Sequence, residues 1–273
     1  MHRRDMTQHI SEQQWRHFDE EGYVRLGKIV DDETLTALSG RIDEIMLGTA
    51  RVDYDRMTMQ EDNGHVPYEQ IAPMTKGQKG SHLNYRKIEQ LEFDPRFLAY
   101  LQWPVFREAS ARIYGAERSI RVMRAMFFNK PARGGSVLPW HQDMWTAIKP
   151  DPRLTVWLAL DPSKRENGCV QIIPGSHRRG PINPNQGAGF LTKEMVVEHC
   201  SVEDVEHLEM EAGEVTLLDN YLLHSSEINR SDTPRRAFSV CYMDADSTDS
   251  NGTEYSTVFG EGALNPATLP IPA

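Results

Sequence analysis

The sequence predicts a mainly β protein of the sandwich, barrel or jelly-roll kind, with helices ahead of the strands. Three observations carry this. From residue 119 the chain runs SIRVMRAMFFNKP, LTVWLALD, CVQIIPG, EVTLLDN and RAFSVCYMDAD, short stretches rich in β-branched and aromatic residues. Pro, Gly and Asn punctuate them, as in ARGG, ENG and PGS. Before residue 119 the apolar residues recur instead at helical spacing.

The elements follow in order. Ser11 can cap a helix from Glu12 to about Glu21, with Trp15, Phe18 and Tyr23 on or beside one face. Asp31 or Asp32 can cap the next, whose Leu35, Leu38, Ile42 and Ile45 form an apolar stripe. Residues 94–102 and 104–114 read as two short helices, with Pro104 at the start of the second, where a missing N–H costs least. Residues 48–85 are irregular and hold Met57, Met59, Tyr68, Met74, His82 and Tyr85. A stretch of this length is either a surface excursion or a functional lid. The strands then occupy 119–246, and the polar, Pro-rich remainder from 247 to 273 reads as loop. No repeat or linker divides the chain, so one domain is expected over 1–273, with 1–118 mostly helical and lid-like.

Composition narrows the function. No apolar run approaches the roughly 18 residues of a membrane helix. The start, MHRRDMTQHISEQQW, lacks the apolar stretch of a secretory signal. Cys169, Cys200 and Cys241 form no CxxC pair or disulfide framework, which suits a reducing, cytoplasmic setting. The net charge of −10 argues against a nucleic-acid partner. Oligomeric state leaves no signal.

The informative motif is Trp140-His141-Gln142-Asp143. On a strand, His141 and Asp143 would share a face, offering one nitrogen and one oxygen ligand. With a second imidazole they would make the 2-His-1-carboxylate set that binds non-heme Fe(II) and leaves coordination positions open. Alone, HxD is more often a surface turn or a satisfied hydrogen-bonded pair. His2, His9, His17, His199 and His207 lie in polar or helical surroundings, and His65 and His82 fall in the irregular stretch. His177 and His224 remain. His224 is preferred because Asn229–Pro234 is strong turn chemistry leading into the strand from Arg235. An antiparallel pair there would bring His224 beside Arg235 or Arg236. An arginine fork near a metal can hold a carboxylate such as the distal one of 2-oxoglutarate, although the two arginines also read as a surface basic pair. Arg121 and Arg124 can neutralise an acidic substrate or form ordinary salt bridges.

EEGYVRL near the N-terminus, NKP at 129–131, WHQD at 140–143, TVWLALD, ENGCVQIIPGSH at 166–177 and HSSEINRSDTPRR at 224–236 occur in that order. With them the chain resembles the phytanoyl-CoA dioxygenase family of Fe(II)/2-oxoglutarate-dependent oxygenases. The resemblance implies a double-stranded β-helix, a cupin-like jelly roll, with N-terminal α-helices. It implies His141, Asp143 and His224 as iron ligands, and Arg235 as partner of the distal carboxylate. It places Ser226, Trp157, Gln142, Met126 and Lys87 around 2-oxoglutarate. The implied reaction consumes O2, hydroxylates an unactivated C–H bond of a small molecule, and releases succinate and CO2. Ser225 stands where the family often has Gly. Asp143 keeps the carboxylate that halogenases of related fold lack, which favours hydroxylation. Tyr68, His82 and Trp145 are the candidate substrate contacts. Phytanoyl-CoA itself is not implied, since candidates for a CoA docking patch (Lys130, Arg133, Arg178 and Arg179) are scattered. The competing reading is a cupin-like metal protein that does not use 2-oxoglutarate, or a catalytically silent binding module.

Overall fold

The computed structural model describes residues 9–270; His2 and the last residues of the Pro-rich tail lie outside them. The chain opens with α1 (Glu12–Glu21), β1 (Tyr23–Lys28), α2 (Asp32–Leu47), β2 (Thr58–Glu61), β3 (Thr75–Lys76) and β4 (Tyr85–Ile88). Then come α3 (Pro95–Leu101), α4 (Pro104–Tyr114), β5 (Ile120–Lys130), β6 (Leu138–His141), β7 (Ile148–Lys149), β8 (Leu154–Ala159) and β9 (Val170–Ile172). The rest is α5 (Lys193–His199), β10 (Glu206–Leu208), β11 (Glu214–Asp219), β12 (His224–Ser226), β13 (Arg235–Asp244), β14 (Thr248–Asp249) and β15 (Ser256–Phe259).

The helices start where the caps predict. The Ser11 hydroxyl accepts from the Gln14 N–H and the Gln14 side chain accepts from the Ser11 N–H, a reciprocal capping box. Asp31 caps α2 by accepting from the Thr34 N–H. Gly22 ends α1 in the left-handed region at φ 80°, and a Cβ there would meet the His177 ring at 2.5 Å. That tight turn sends the chain straight into β1.

Among the described residues, the strands form a large sheet in the order β1-β11-β8-β13-β5-β4-β2-β3, with β15 also on β5, a small sheet β10-β9-β12-β6, and a two-stranded pair β14-β7. All recorded pairings in them are antiparallel. β8 shows how they pack. Val156 and Leu158 point into a core shared with Trp15, Ile42, Phe97 and Phe106 of the helices. Trp157 and Ala159 point the other way, against Val170, Ile172 and Leu208 of the small sheet. Period-two alternation thus gives one face to the helices and the other to the space between the sheets. The result is the expected jelly roll with helices outside.

Two expectations change. The region before 119 is not only helix and loop, because β1 to β4 join the large sheet at both of its ends. Met57, Met59 and Tyr85 of the irregular stretch are fully buried there. The tail is not all loop either, since β15 pairs with β5. Both pairings join segments far apart in sequence, which no local pattern encodes. The three cysteines are free and buried. Among the described residues no helix is long and apolar enough to cross a membrane.

One buried charge sets a pH dependence. Glu92 follows β4, is buried, and its Oε2 has no hydrogen-bond partner. Burial raises its carboxyl from the ordinary 4.5 to about 7. The folded state therefore holds a proton the unfolded chain has released, and stability falls as pH rises from about 4.5 through 7. Glu92→Gln should stabilise the protein by up to about 3 kcal/mol at pH 8, and hardly at all at pH 4. Melting curves at the two pH values check this, and equal shifts at both would contradict it.

Candidate functional site

His141 closes β6 and His224 opens β12. The two are directly opposite each other in the small sheet, with ring centroids 4.0 Å apart. Asp143 lies just beyond the strand, so strand alternation does not place it. Its N–H donates to the Asn220 carbonyl at 2.7 Å, which holds the loop on the chain segment leading to β12. The Asp143 carboxylate oxygens lie 4.0 Å from His141 Nε2 and 4.0 Å from His224 Nε2. The three potential ligand atoms fall within 4.8 Å of one another.

The donor set fits a transition-metal cation for a reason visible in the hydrogen bonds. His141 Nδ1 is 2.9 Å from the Pro139 carbonyl, and His224 Nδ1 is 2.9 Å from the Leu222 carbonyl. A carbonyl only accepts, so each Nδ1 carries the proton and each Nε2 keeps its lone pair facing Asp143. Burial, with His224 alongside, pushes the His141 imidazole down to about 3, so it is neutral and ready to ligate. Burial alone would raise the Asp143 carboxyl. The neighbouring charge of Arg124, then His224 and His141, overcomes this and holds it below the ordinary range. Arg124 donates to Asp143 Oδ2 at 3.3 Å.

These residues line one cavity, open to solvent, between the sheets. Arg235 enters it from the start of β13. The residue is buried, its guanidinium lies 5.7 Å from the Trp157 ring centroid, and Nη2 donates to the Gly168 carbonyl at 2.9 Å. Its Nε has no partner, and among the described residues it makes no ion pair. Burial lowers its guanidinium to about 10. Directly across the sheet from Arg235 stands Lys130, a second buried cation.

The family model for phytanoyl-CoA dioxygenase (PhyH) matches residues 18–237. The chain belongs to that family. A probable phytanoyl-CoA dioxygenase of Caenorhabditis elegans is 25% identical over 252 residues, covering 87% of this chain and 76% of the relative. Among solved structures, the non-heme alpha ketoglutarate dependent carbocyclase SnoK from nogalamycin biosynthesis aligns with a TM-score of 0.64 at 20% identity, over 89% of this chain and 88% of that one. EctD from S. alaskensis with bound Fe aligns at 0.64 and 19% identity, over 97% and 85%. These two show the fold. The same EctD has also been solved with 2-oxoglutarate and 5-hydroxyectoine, and aligns at 0.58 and 21% identity over 93% and 82%.

Within this phytanoyl-CoA dioxygenase family chain, the structure gathers most of the expected residues. Arg235, Ser226, Trp157, Lys87, Tyr68 and Trp145 all line the cavity with the two histidines and Asp143. Three do not. Gln142 is turned away, donating to the Gly180 and Tyr221 carbonyls at 2.9 and 2.7 Å and accepting from the Ile182 N–H at 2.8 Å. Both amide protons are taken by backbone carbonyls, so the side chain stiffens the ligand loop. Met126 is buried in β5 but is not among the residues lining the cavity. His82 lies nearer the surface, 2.8 Å from Glu61 Oε1 and stacked on Tyr85. The expected pairing of His224 with Arg235 is also absent. β12 and β13 belong to different sheets, and the Asn229 amide, bonded to the Lys130 and Thr233 carbonyls, shapes the crossing between them.

Sequence reasoning missed Arg86, Lys130 and Phe128 as cavity residues and left Arg124 open. Arg124, Phe128 and Lys130 share an alternation face of β5, so a signal existed. Which face looks inward is set by the helices on the other side.

Proposed function

We propose that this protein is an Fe(II)- and 2-oxoglutarate-dependent dioxygenase that hydroxylates an unactivated C–H bond of a small molecule, with release of succinate and CO2. The observation that carries this reading is the pairing, in one cavity, of a His–Asp–His donor set with a buried arginine that has no carboxylate partner. An unpaired buried guanidinium is costly. Arg235, buried and without an ion pair among the described residues, is therefore poised for an anion from outside the chain.

His141, Asp143 and His224 would hold the metal, and three ligands leave positions open for a chelating cosubstrate and O2. Bound Fe(II) supplies the redox chemistry that couples decarboxylation of 2-oxoglutarate to oxidation of a C–H bond. Arg235 binds the distal carboxylate and so fixes the cosubstrate's orientation. Trp157 walls that end of the pocket, and Ser226 offers a hydroxyl beside it. Trp145, Met144, Val170 and Leu218 give the cavity apolar walls that limit water near the reacting centre.

Anaerobic addition of Fe(II) and 2-oxoglutarate should give a weak visible charge-transfer band, and admitting air should yield succinate. A folded protein that binds iron but shows neither band nor succinate would exclude this function.

A further inference from the structure

The cavity holds more positive charge than metal and cosubstrate require. Among the described residues, Arg86, Lys87, Arg124, Lys130 and Arg235 line it against a single carboxylate, Asp143. A metal dication and a 2-oxoglutarate dianion cancel in net charge. Arg124 is paired with Asp143, and on the oxygenase reading Arg235 takes the distal carboxylate. Burial holds both lysine ammonium groups below their ordinary range, and Lys130 donates to the Ser136 carbonyl. Burial lowers the Arg86 guanidinium as well, yet an arginine keeps its charge where a lysine can lose it. Arg86 is left over.

Arg86 sits in β4, buried, with one hydrogen bond, from Nη1 to Gln60 Oε1 at 2.7 Å. Among the described residues no carboxylate lies within ion-pair distance of it. Asp62, whose field reaches it, is turned to the Gly64 and Gly135 N–H groups at 3.1 and 3.4 Å. The guanidinium lies 5.7 Å from the Tyr68 ring centroid, and the Tyr68 hydroxyl, in the same cavity, has no hydrogen-bond partner among the described residues. Tyr68 packs on Phe190 at 4.9 Å, and Phe190 stacks on the metal-site His141 at 5.0 Å. A row of three rings therefore connects the spare cation to the candidate metal centre.

We propose that the primary substrate carries an oxyanion head group, carboxylate or phosphate, held by Arg86 and the Tyr68 hydroxyl while the carbon to be oxidised lies at the metal side of Phe190. This rests on the oxygenase reading and adds the class of substrate to it. The head group would supply the counter-charge that the chain withholds from Arg86, and the irregular 48–85 segment would matter because it delivers Tyr68.

The test is a binding measurement that needs no turnover. Protein loaded with Mn(II) and N-oxalylglycine is titrated with short and aromatic carboxylic acids, their matched primary amides, and alkyl phosphates. Tryptophan fluorescence and melting temperature report binding. At least one acid or phosphate should bind the wild type about ten-fold more tightly than its neutral counterpart. Arg86→Gln should erase that preference while 2-oxoglutarate affinity stays within about two-fold, and Arg86→Lys should recover part of it. Acids against phosphates then identify the head group. If no anion outcompetes its neutral match on the wild type, or if Arg86→Gln weakens 2-oxoglutarate as much as the anion, the proposal is overturned. Failure of the wild type to bind 2-oxoglutarate at all, measured first, would instead remove the oxygenase reading beneath it.

Discussion

Asp143→Ala should abolish iron binding and turnover while the protein still folds. Among the described residues Asp143 is the only anion at the candidate metal centre, and its carboxylate stands 4.0 Å from both ligand nitrogens. Without it two imidazoles remain beside the Arg124 guanidinium, whose positive field then repels the incoming dication. Loss of partners that merely orient a ligand costs about 10- to 100-fold in metal affinity or activity, so loss of the ligand should exceed about 100-fold. Stability should also fall, by roughly 3–5 kcal/mol, because Arg124 is left buried and uncompensated. The double variant Asp143→Ala with Arg124→Met separates the two effects. It should recover much of the melting temperature and none of the iron. Metal analysis after anaerobic loading, with melting curves for both variants, decides the matter. Wild-type iron content in the single variant would remove Asp143 from the site.

Arg235→Ala should leave iron in place and weaken 2-oxoglutarate. The guanidinium is buried, makes no ion pair among the described residues, and faces Lys130 across the strands. Truncating one partner of a buried, hydrogen-bonded charge pair costs about 2–5 kcal/mol, which is roughly thirty-fold or more in affinity. The apo protein should behave in the opposite way. Arg235→Met removes an uncompensated buried charge and should raise the apo melting temperature. That opposition distinguishes a built anion site from a structural arginine, whose loss would destabilise apo and loaded protein alike. Unchanged 2-oxoglutarate affinity in Arg235→Ala would return the protein to the competing reading, a metal-binding jelly roll that does not use this cosubstrate.

The parts of the site that were legible are those that depend on neighbours in the chain. Ser11 and Asp31 cap their helices because capping joins groups three residues apart. His141 and His224 could be singled out because turn residues and strand-like flanks surround them. Gln142 was misplaced for a related reason. Sitting between two ligands says nothing about rotation, and the structure turns its amide toward Gly180, Tyr221 and Ile182. The N-terminal strand β1 was missed because its partner, β11, lies about 190 residues later in the chain.

The order of motifs by itself determined the family, the jelly-roll class and the three candidate metal ligands, since each rests on residue type and local spacing. Only the tertiary structure decided the charge of the pocket. The sequence is acidic overall, at −10. Yet the pairing of β4, β5 and β13, with a bulge at Arg86, brings Arg86, Lys87, Arg124, Lys130 and Arg235 to one cavity. Net charge is a sum over composition, whereas the field in a cavity depends on which side chains converge there and which counter-charges stay outside. That convergence follows from long-range pairing and from which sheet face the helices cover.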